Sequence, residues 1–337
     1  AIAHALHNDV PLLVESTCNQ VNQYGGYTGQ TPAEFKRSLH NLANGINFPA
    51  QRLIFGGDHL GPNPWRDEPA EKAMDKARVL VGDYVRSGCT KIHLDPSMKL
   101  ADDNPQHPLS TETIAWRAAE LALVAETTHR RSGDLAGPPL YVIGTEVPAP
   151  GGLEEEQVAG PPAATSPHSA AETIEATKKA FYARGLADAW KRVIAVVVQP
   201  GVEFGNDNLF DYHAPAAAEL SAFIKGVAGL VYEAHSTDYQ TQSALRNLVR
   251  DQFAILKVGP ALTFAFREAV FALAQIEEEL LAGRGAQLSD IRRIIDEAML
   301  ANPVYWRSYY SGDAQQQAYA RRYSLSDRIR YYWPVTA

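Results

Sequence analysis

Cysteine is scarce in this sequence. Its 337 residues include only two cysteines, Cys18 and Cys89, which lie far apart along the chain. Two such residues cannot build a disulfide framework or a CxxC metal site, and small buried thiols are the simplest interpretation. A chain that does not depend on disulfides suits a reducing compartment, and we expect it to be cytoplasmic.

Positive charge and long apolar runs are scarce as well. The 31 basic side chains are outnumbered by 39 acidic ones, which gives a formal net charge of -8 at pH 7. A nucleic-acid partner would require a basic face, so we expect none. No apolar run approaches the roughly 20 residues of a membrane span, so we expect no membrane association either.

What the sequence does contain is a regular alternation of strand and helix patterns. Continuous apolar runs, typical of parallel strands covered on both faces, predict buried strands. They lie at 11–16, 53–55, 91–95, 140–147, 193–199, 230–235 and 253–259. Helical segments separate them, and one has a clear start: Thr31 caps, Pro32 occupies the first turn, and Glu34 closes a capping box.

This alternation favours an α/β fold of the (β/α)8 TIM barrel type over a doubly wound sheet. A barrel needs eight strands, whereas seven strand–helix units follow an opening helix, so we expect the first strand upstream of residue 1. No GxGxxG or GxxxxGK[ST] pattern follows a strand, which weighs against a dinucleotide-binding sheet or a P-loop kinase. We predict a barrel over 1–282 and extra C-terminal helices over 283–337.

Ionisable and amide side chains gather at the predicted carboxyl ends of the strands, where a barrel places its active site. The strand-end residues are Glu15, Asp58, His59, His93, Asp95, Glu146, Gln199, His235, Asp238 and Lys257. Histidine together with carboxylate and carboxamide oxygens suits a borderline divalent ion. The sequence therefore predicts a zinc or manganese site at these strand ends.

We predict His59 and His235 as metal ligands, with Glu146 and then Gln199 as further ligands. Each histidine alone has a simpler alternative as a hydrogen-bonded core or loop residue. Asp58 is the predicted general base, because a carboxylate near a metal can take a proton from a group whose oxygen the metal polarises. Its alternative is a helix or loop cap.

Geometry along the strands gives two further expectations. Adjacent residues at a strand end point in opposite directions, so one of Asp58 and His59 should face a substrate while the other takes a metal or a hydrogen bond. His93 and Asp95 lie on one side of their strand, and we predict that they orient the ligands, together with Asp238.

An acidic run lies in the long loop after the fourth strand. Glu154 and Glu155 follow Gly151-Gly152 in this loop. One interpretation is a solvated acidic loop. The other is a lid that closes and delivers a carboxylate, from Glu146, Glu154 or Glu155, as acid or base.

The last strand and the C-terminal segment suggest phosphate or substrate binding. Gly259 to Thr263 opens a long helix, and the loops after the final barrel strands often bind phosphate at a helix N-terminus. Arg328 and Arg330 could add charge for a second phosphate, or could simply pack at the surface. Lys257 permits a Schiff base with a ketose carbonyl, against the alternative of an ion-paired lysine.

Long motifs at these positions resemble one family, the GatZ/KbaZ subunits of D-tagatose-1,6-bisphosphate aldolase. They are Glu15–Gln23, Gly56–Asn63, Lys91–Asp95, Gly144–Pro148, Gln199–Phe204, Glu233–Gln240 and Asp327–Pro334. The resemblance covers essentially the whole chain. It implies a (β/α)8 barrel and a role in carbohydrate metabolism, such as galactitol, N-acetylgalactosamine or tagatose breakdown.

The resemblance also implies a partner, the catalytic class II aldolase subunit, which needs a GatZ/KbaZ-type subunit for its full activity and stability. Relatives have carried the label tagatose-6-phosphate kinase, and others have been proposed as metal-dependent ketose 4-epimerases. Against class II aldolases themselves, Asp58-His59 resembles their base and ligand, His235 a second ligand, and Glu146 with the acidic run their catalytic loop. A third ligand histidine is missing: Ala195 lies near its place.

Three functions remain open from the sequence. The first is an aldolase subunit that retains a divalent-metal site. The second is an autonomous metal-dependent ketose 4-epimerase or aldolase that acts by retro-aldol chemistry, and the third is a Schiff-base aldolase using Lys257. Each has a ketose or ketose phosphate as its ligand, and association of the chain with itself stays open.

Overall fold

The computed structural model describes residues 1–133, 137–145 and 161–335. Its helices are α1 Ile2–His7, α2 Pro32–Gly45, α3 Ala70–Arg86, α4 Thr111–Ser132, α5 Pro167–Ala183, α6 Ala187–Trp190, α7 Ala218–Lys225, α8 Gln242–Arg250, α9 Pro260–Leu281, α10 Ile291–Ala301 and α11 Ala314–Tyr323. Its strands are β1 Leu12–Thr17, β2 Leu53–Leu60, β3 Lys91–Leu94, β4 Leu140–Gly144, β5 Val193–Val197, β6 Glu203–Phe204, β7 Leu209–Phe210, β8 Val231–Ala234 and β9 Phe253–Leu256.

A parallel sheet organises the fold. In the described residues it has seven strands in the order β1-β2-β3-β4-β5-β8-β9, while β6 and β7 form a separate antiparallel pair. The register of β1 on β2 places Leu12 opposite Leu53. The predicted α/β class with parallel strands is therefore confirmed. The eighth strand and barrel closure stay predictions.

Burial explains why these segments form the sheet. All four residues of β3 are buried, and four of the five in β5 are. Strands covered on both faces need apolar side chains on both, which gives the unbroken runs seen in the sequence. The polar exceptions within such a strand, Lys91 and His93 in β3, consequently require partners.

Side-chain caps fix where several helices begin. The predicted capping box of α2 is confirmed, with the Glu34 carboxylate accepting the Thr31 N–H at 2.9 Å. Ser110, Ser166 and Thr241 cap α4, α5 and α8 through their hydroxyl groups, each of which accepts a first-turn N–H. Such caps satisfy donors that the helix itself leaves unpaired.

The chain divides into two compact units. One contains Ala1–Thr145, Ser166–Val197 and Val227–Val231, and includes α1 to α6 and β1 to β5. The other contains the described parts of 146–165, 198–226 and 232–337. The predicted division of the chain at residues 282 and 283 stays a prediction.

The second unit has an aromatic-rich core that joins α9 and α10 to the C-terminal segment. Its buried members are Phe271, Ile295, Met299, Trp306, Tyr310, Ile329 and Tyr332. Large aromatic side chains bury much apolar area, so this cluster holds the closing residues of the chain against α9. The C-terminal helices were expected, and the described residues contain them.

No helix in the described ranges combines the length and the apolar character that crossing a membrane requires.

Candidate metal centre

The strand β2 continues beyond the residues predicted for it. It runs to Leu60 rather than ending at Phe55, so the predicted end of this strand was wrong. Its pairing with β3 shifts register between Gly57 and Leu60, and His59 has a positive φ of 46°. Such a bulge re-aims side chains, so the strict alternation of a regular strand does not hold here.

Because of this bulge, Asp58 and His59 do not simply point in opposite directions, as was expected. Asp58 Oδ1 lies 2.9 Å from His93 Nδ1. The His59 ring centroid lies 4.8 Å from that of His93, and His59 Nε2 lies 3.7 Å from Asp58 Oδ2. The two neighbours therefore converge on one imidazole.

Gly61 is what allows β2 and the turn after β3 to approach so closely. A Cβ added at Gly61 would lie 2.0 Å from the backbone oxygen of Asp95. The Asp95 N–H in turn donates to the Leu60 carbonyl at 3.1 Å. This contact between backbones sets the position of Asp95 beside the bulge.

Asp95 orients His59. Its Oδ2 lies 2.7 Å from His59 Nδ1, and Asp95 is only 3% exposed. Burial alone would raise the pKa of Asp95, but the hydrogen bond from His59 holds it well below its usual range. An ionised carboxylate only accepts, so His59 Nδ1 carries the proton and Nε2 is the nitrogen that can offer a lone pair to a metal.

His93 lies against the predicted base. Its Nε2 lies 2.9 Å from the Gly144 carbonyl and must donate to it. Its Nδ1 accepts the His59 backbone N–H at 3.2 Å and lies 2.9 Å from Asp58 Oδ1. These contacts fix the orientation of the His93 ring beside the Asp58 carboxyl group.

These three side chains form a group that could hold a metal ion. Asp58, His59 and His93 each offer one ligand atom, and these atoms lie within 4.8 Å of one another. Imidazole nitrogen with carboxylate oxygen is a donor set that suits zinc or manganese. The sequence prediction of a metal site at this strand end therefore fits the geometry.

The end of β8 carries the second predicted ligand histidine. His235 is 1% exposed, and its Nε2 lies 3.0 Å from Glu233 Oε1. A carboxylate accepts, so Nε2 carries the proton and Nδ1 is the nitrogen suited to a ligand role. Lys257 Nζ lies 3.7 Å from the same Glu233 oxygen, an ion pair that favours a charged ammonium over a Schiff-base nucleophile.

Gln199 makes contacts that were not predicted. Its carboxamide oxygen accepts the N–H groups of Gly201 at 2.8 Å and Val202 at 3.0 Å. The carboxamide oxygen, which is the atom that would bind a metal, therefore already accepts two hydrogen bonds. The amide nitrogen is the atom left to bind a ligand. This arrangement favours a hydrogen-bonding role for Gln199 over metal ligation.

Asp238, predicted to orient the metal ligands, forms hydrogen bonds with the backbone at the start of α9. Its Oδ1 accepts the N–H groups of Gly259 at 2.9 Å and Ala261 at 2.8 Å. Thr263 Oγ1, predicted near a phosphate, donates to the Pro260 carbonyl at 3.1 Å. The helix N-terminus predicted to bind phosphate thus already has an anionic acceptor from within the chain.

The two arginines predicted for a second phosphate bond within the C-terminal segment. Arg328 Nη1 donates to the Tyr305 carbonyl at 3.0 Å, and its guanidinium stacks on Tyr309. Arg330 Nη2 donates to the Tyr331 hydroxyl at 2.9 Å. Phosphate binding by either stays a prediction. Glu146, Glu154 and Glu155 lie outside the described residues.

One buried ion pair was missed by the sequence reasoning. Lys91 opens β3, is 3% exposed, and places its Nζ 2.9 and 3.1 Å from the two carboxylate oxygens of Glu15. Gly56 gives this pair room, since a Cβ there would lie 2.6 Å from Glu15 Oε1. The available signal was a lysine at the head of a short strand predicted to be buried, where a charged group requires a partner.

The fold and these residues define a class: α/β proteins with a parallel sheet whose strand ends carry imidazole and carboxylate groups that could hold a metal ion. Within that class, the chain belongs to the GatZ/KbaZ-like family, described as D-tagatose-1,6-bisphosphate aldolase subunit GatZ/KbaZ-like, whose model matches residues 1–337. The family expected from the sequence motifs is therefore confirmed.

A solved structure is similar to this chain in both sequence and fold. A crystal structure of a probable tagatose 6 phosphate kinase from Sinorhizobium meliloti 1021 is 45% identical, with a TM-score of 0.88, over 99% of this chain and 80% of that one. A fructose-bisphosphate aldolase from Campylobacter jejuni is 12% identical, with a TM-score of 0.45, over 98% and 82%. The first likeness matches the older kinase label expected for this family.

Proposed function

We propose that this chain is a GatZ/KbaZ-type subunit of a class II tagatose-1,6-bisphosphate aldolase, acts in carbohydrate metabolism, and carries a divalent-metal site at its strand ends. Family membership supports the first part. The observation that supports the metal site is that His59, a proposed ligand, lies with Asp58 and His93 in a group whose candidate ligand atoms are within 4.8 Å of one another. The catalytic class II aldolase subunit is the proposed partner.

The proposed ligands are His59 and His235, with Glu146 as a third. His59 is prepared for this role, because Asp95 fixes its tautomer from the Nδ1 side. His235 is held by Glu233 in the corresponding way. Zinc or manganese, when bound, would polarise the carbonyl oxygen of a ketose.

Asp58 is the proposed base. In a retro-aldol step a C–C bond of the ketose breaks, and the hydroxyl group on the carbon that becomes the new carbonyl loses its proton. A carboxylate at this position can accept that proton. His93, whose Nδ1 lies 2.9 Å from Asp58 and whose Nε2 donates to the Gly144 carbonyl, positions the carboxylate. Re-addition of the fragments would return the proton from the same group.

A second candidate is an autonomous metal-dependent ketose 4-epimerase or aldolase. The observation that favours it is that the acid–imidazole contacts are made within this chain, Asp58 with His93 and Asp95 with His59. A subunit with a purely supporting role would not require a buried, fixed imidazole beside a base. Retro-aldol cleavage followed by re-addition on the opposite face gives 4-epimerisation without a second subunit.

One experiment tests both candidates. The purified chain is analysed for zinc and manganese, then assayed for aldol cleavage and ketose 4-epimerisation, alone and mixed with a class II aldolase subunit, before and after chelation. Chelator-sensitive epimerisation by the chain alone supports the second candidate. Stimulation of the partner without intrinsic turnover supports the first. Absence of metal together with indifference to chelation would reject the metal site.

Asp58→Asn serves as the matched variant for this assay, and Asp67→Asn as its control. Asp67 is exposed, so its substitution tests only the loss of one carboxylate. Loss of chelator-sensitive activity in the first variant alone would support Asp58 as the base.

A further inference from the structure

Both oxygens of the Asp95 carboxylate accept hydrogen bonds, and the donors come from different segments of the chain. Oδ2 lies 2.7 Å from His59 Nδ1 in β2. Oδ1 accepts two bonds from Ser97, one from its hydroxyl group at 2.5 Å and one from its backbone N–H at 3.1 Å. Asp95 is buried, so these groups of the chain itself set the direction in which its oxygens point.

Ser97 is in turn held by the end of β4. Its Oγ lies 3.2 Å from Oγ1 of Thr145, the residue that follows the last residue of this strand. The preceding carbonyl, that of Gly144, accepts from His93 Nε2 at 2.9 Å. Two successive residues at the end of β4 therefore contact β3 and the turn after it. One of these contacts is made by the residue that bonds to Asp95.

The second anchor matters because of how an aspartate side chain moves. The torsion between the Cβ atom and the planar carboxylate has broad, weakly defined minima, so a single hydrogen bond leaves the plane free to tilt. Ser97 restrains this plane from the side opposite His59. The backbone N–H of Ser97 remains after most substitutions. Its hydroxyl group is therefore the part of the anchor that a substitution can remove.

We propose that Ser97 is a positioning residue of the candidate metal site. Its hydroxyl group fixes the plane of the Asp95 carboxylate, which keeps the proton on His59 Nδ1 and leaves Nε2 for the metal ion. The proposal rests on the proposed metal site, with His59 as a ligand. The sequence reasoning did not select Ser97, because it lies beyond the strand end and has neither an ionisable nor an amide group.

The test compares metal binding by the full chain in the wild type and in variants at this position. Ser97→Ala removes the hydroxyl group. Ser97→Thr and Ser97→Val form a matched pair, since their side chains have the same shape and only threonine keeps a hydroxyl. Ser110→Ala is the control, because it removes a hydroxyl that caps α4 and has no contact with the site residues.

Two measurements are made on each variant. Zinc affinity is determined by titration against a competing chelator, and the visible absorption of bound Co²⁺ reports the arrangement of its ligands. We expect zinc affinity to fall by about tenfold in Ser97→Ala and Ser97→Val, the lower end of the usual effect of groups that support a ligand from behind. The Co²⁺ spectrum should change in the same two variants, whereas Ser97→Thr should keep the wild-type affinity and spectrum.

The control separates positioning from general stability. Ser110→Ala should lower the unfolding temperature, because it removes a helix cap, and should leave zinc affinity and the Co²⁺ spectrum unchanged. A fall in zinc affinity that followed the unfolding temperature across all the variants would contradict a specific role for Ser97.

A double variant tests whether Ser97 acts through Asp95. Asp95→Asn already removes the carboxylate, so adding Ser97→Ala should lower zinc affinity no further. Additive losses in the double variant, or equal zinc affinities of Ser97→Val and Ser97→Thr, would overturn the proposal. Should Ser97→Ala fail to fold, the matched pair still decides, and Ser97→Val replaces it in the double variant.

Failure of this proposal and failure of the proposed function give different results. A wild type that binds neither zinc nor cobalt would reject the proposed metal site, and the role of Ser97 with it. A wild type that binds zinc as tightly as Ser97→Val does would reject the role of Ser97 alone. Neither measurement requires turnover, so the outcome does not depend on whether the chain is an aldolase subunit or an epimerase.

Discussion

The bulged end of β2 and the turn after β8 have similar residues and use them differently. Each contains an acid, a histidine and a non-glycine residue with positive φ, 46° at His59 and 52° at Ser236. At the end of β2 the acid Asp58 contacts an imidazole. After β8 the acid Asp238 bonds to the first turn of a helix. A carboxylate can serve as a base or as a structural anion, and its hydrogen-bond donors decide which.

Substitution of Asp58 should give the largest effect in this comparison. Asp58→Asn keeps the size of the side chain and removes the basic oxygen, so we expect a fall in metal-dependent ketose turnover of about 10²–10⁴-fold, the usual contribution of a positioned base. Steady-state kinetics on the metal-loaded protein measure this. Unchanged turnover with Asp58→Asn would show that Asp58, like Asp238, has only a structural role.

Removing the group that orients His59 should have the next largest effect. In Asp95→Asn the amide can donate to Nδ1, which turns the imidazole to the tautomer that presents Nε2–H instead of a lone pair. We expect metal affinity to fall by about 10–100-fold, as for other groups that support a ligand from behind. Titration with a competing chelator measures the affinity, and equal affinity in variant and wild type would contradict the assignment.

Relief of backbone strain at His59 and at Ser236 should have smaller effects, which differ between the two positions. Ser236→Gly places glycine at φ 52° and removes a buried hydroxyl without a described partner. We expect stability to rise by up to about 1 kcal/mol, since the strain of a left-handed residue exceeds the added entropy of glycine in the unfolded chain. His59→Gly relieves the same strain but should abolish metal binding. Thermal unfolding and metal content distinguish the two variants.

The smallest expected effect is a pH-dependent change at Asp238. Burial raises the pKa of this carboxyl above its ordinary 3.8. The ionised form therefore costs stability above the folded-state pKa, and this cost disappears as the pH falls below the unfolded value. Asp238→Asn has no charge at any pH, so its unfolding temperature relative to the wild type should be higher at pH 7 than at pH 4. An equal difference at both would contradict the shift.

Much of the fold follows from local patterns in the sequence. Apolar runs such as Val193–Val197 identify strands because covering both faces leaves no room for polar side chains. The capping box at Thr31 and Glu34 marks a helix start for equally local reasons. The candidate ligands and base could be selected because parallel strand ends meet at one edge of a sheet.

The contacts within the site could not be predicted, because they depend on pairings between distant segments. The bulge at His59 arises from the register of β2 on β3, and it turns Asp95 into the partner of His59 rather than of His93. The engagement of Gln199 by its own loop and of Asp238 by α9 likewise requires the folded backbone. The two-residue strands β6 and β7 are too short to leave a periodic signal.

The two buried cysteines allow unfolding to be followed by thiol titration. Cys18 and Cys89 are 0% and 2% exposed, and burial raises the pKa of each well above the ordinary value. Neutral, covered thiols react slowly with disulfide reagents, whereas an unfolded chain exposes both. The sequence contains no other cysteine. A variant that is inactive but whose thiols still react slowly has therefore lost its function and kept its fold, whereas rapid reaction of both thiols shows that it has unfolded.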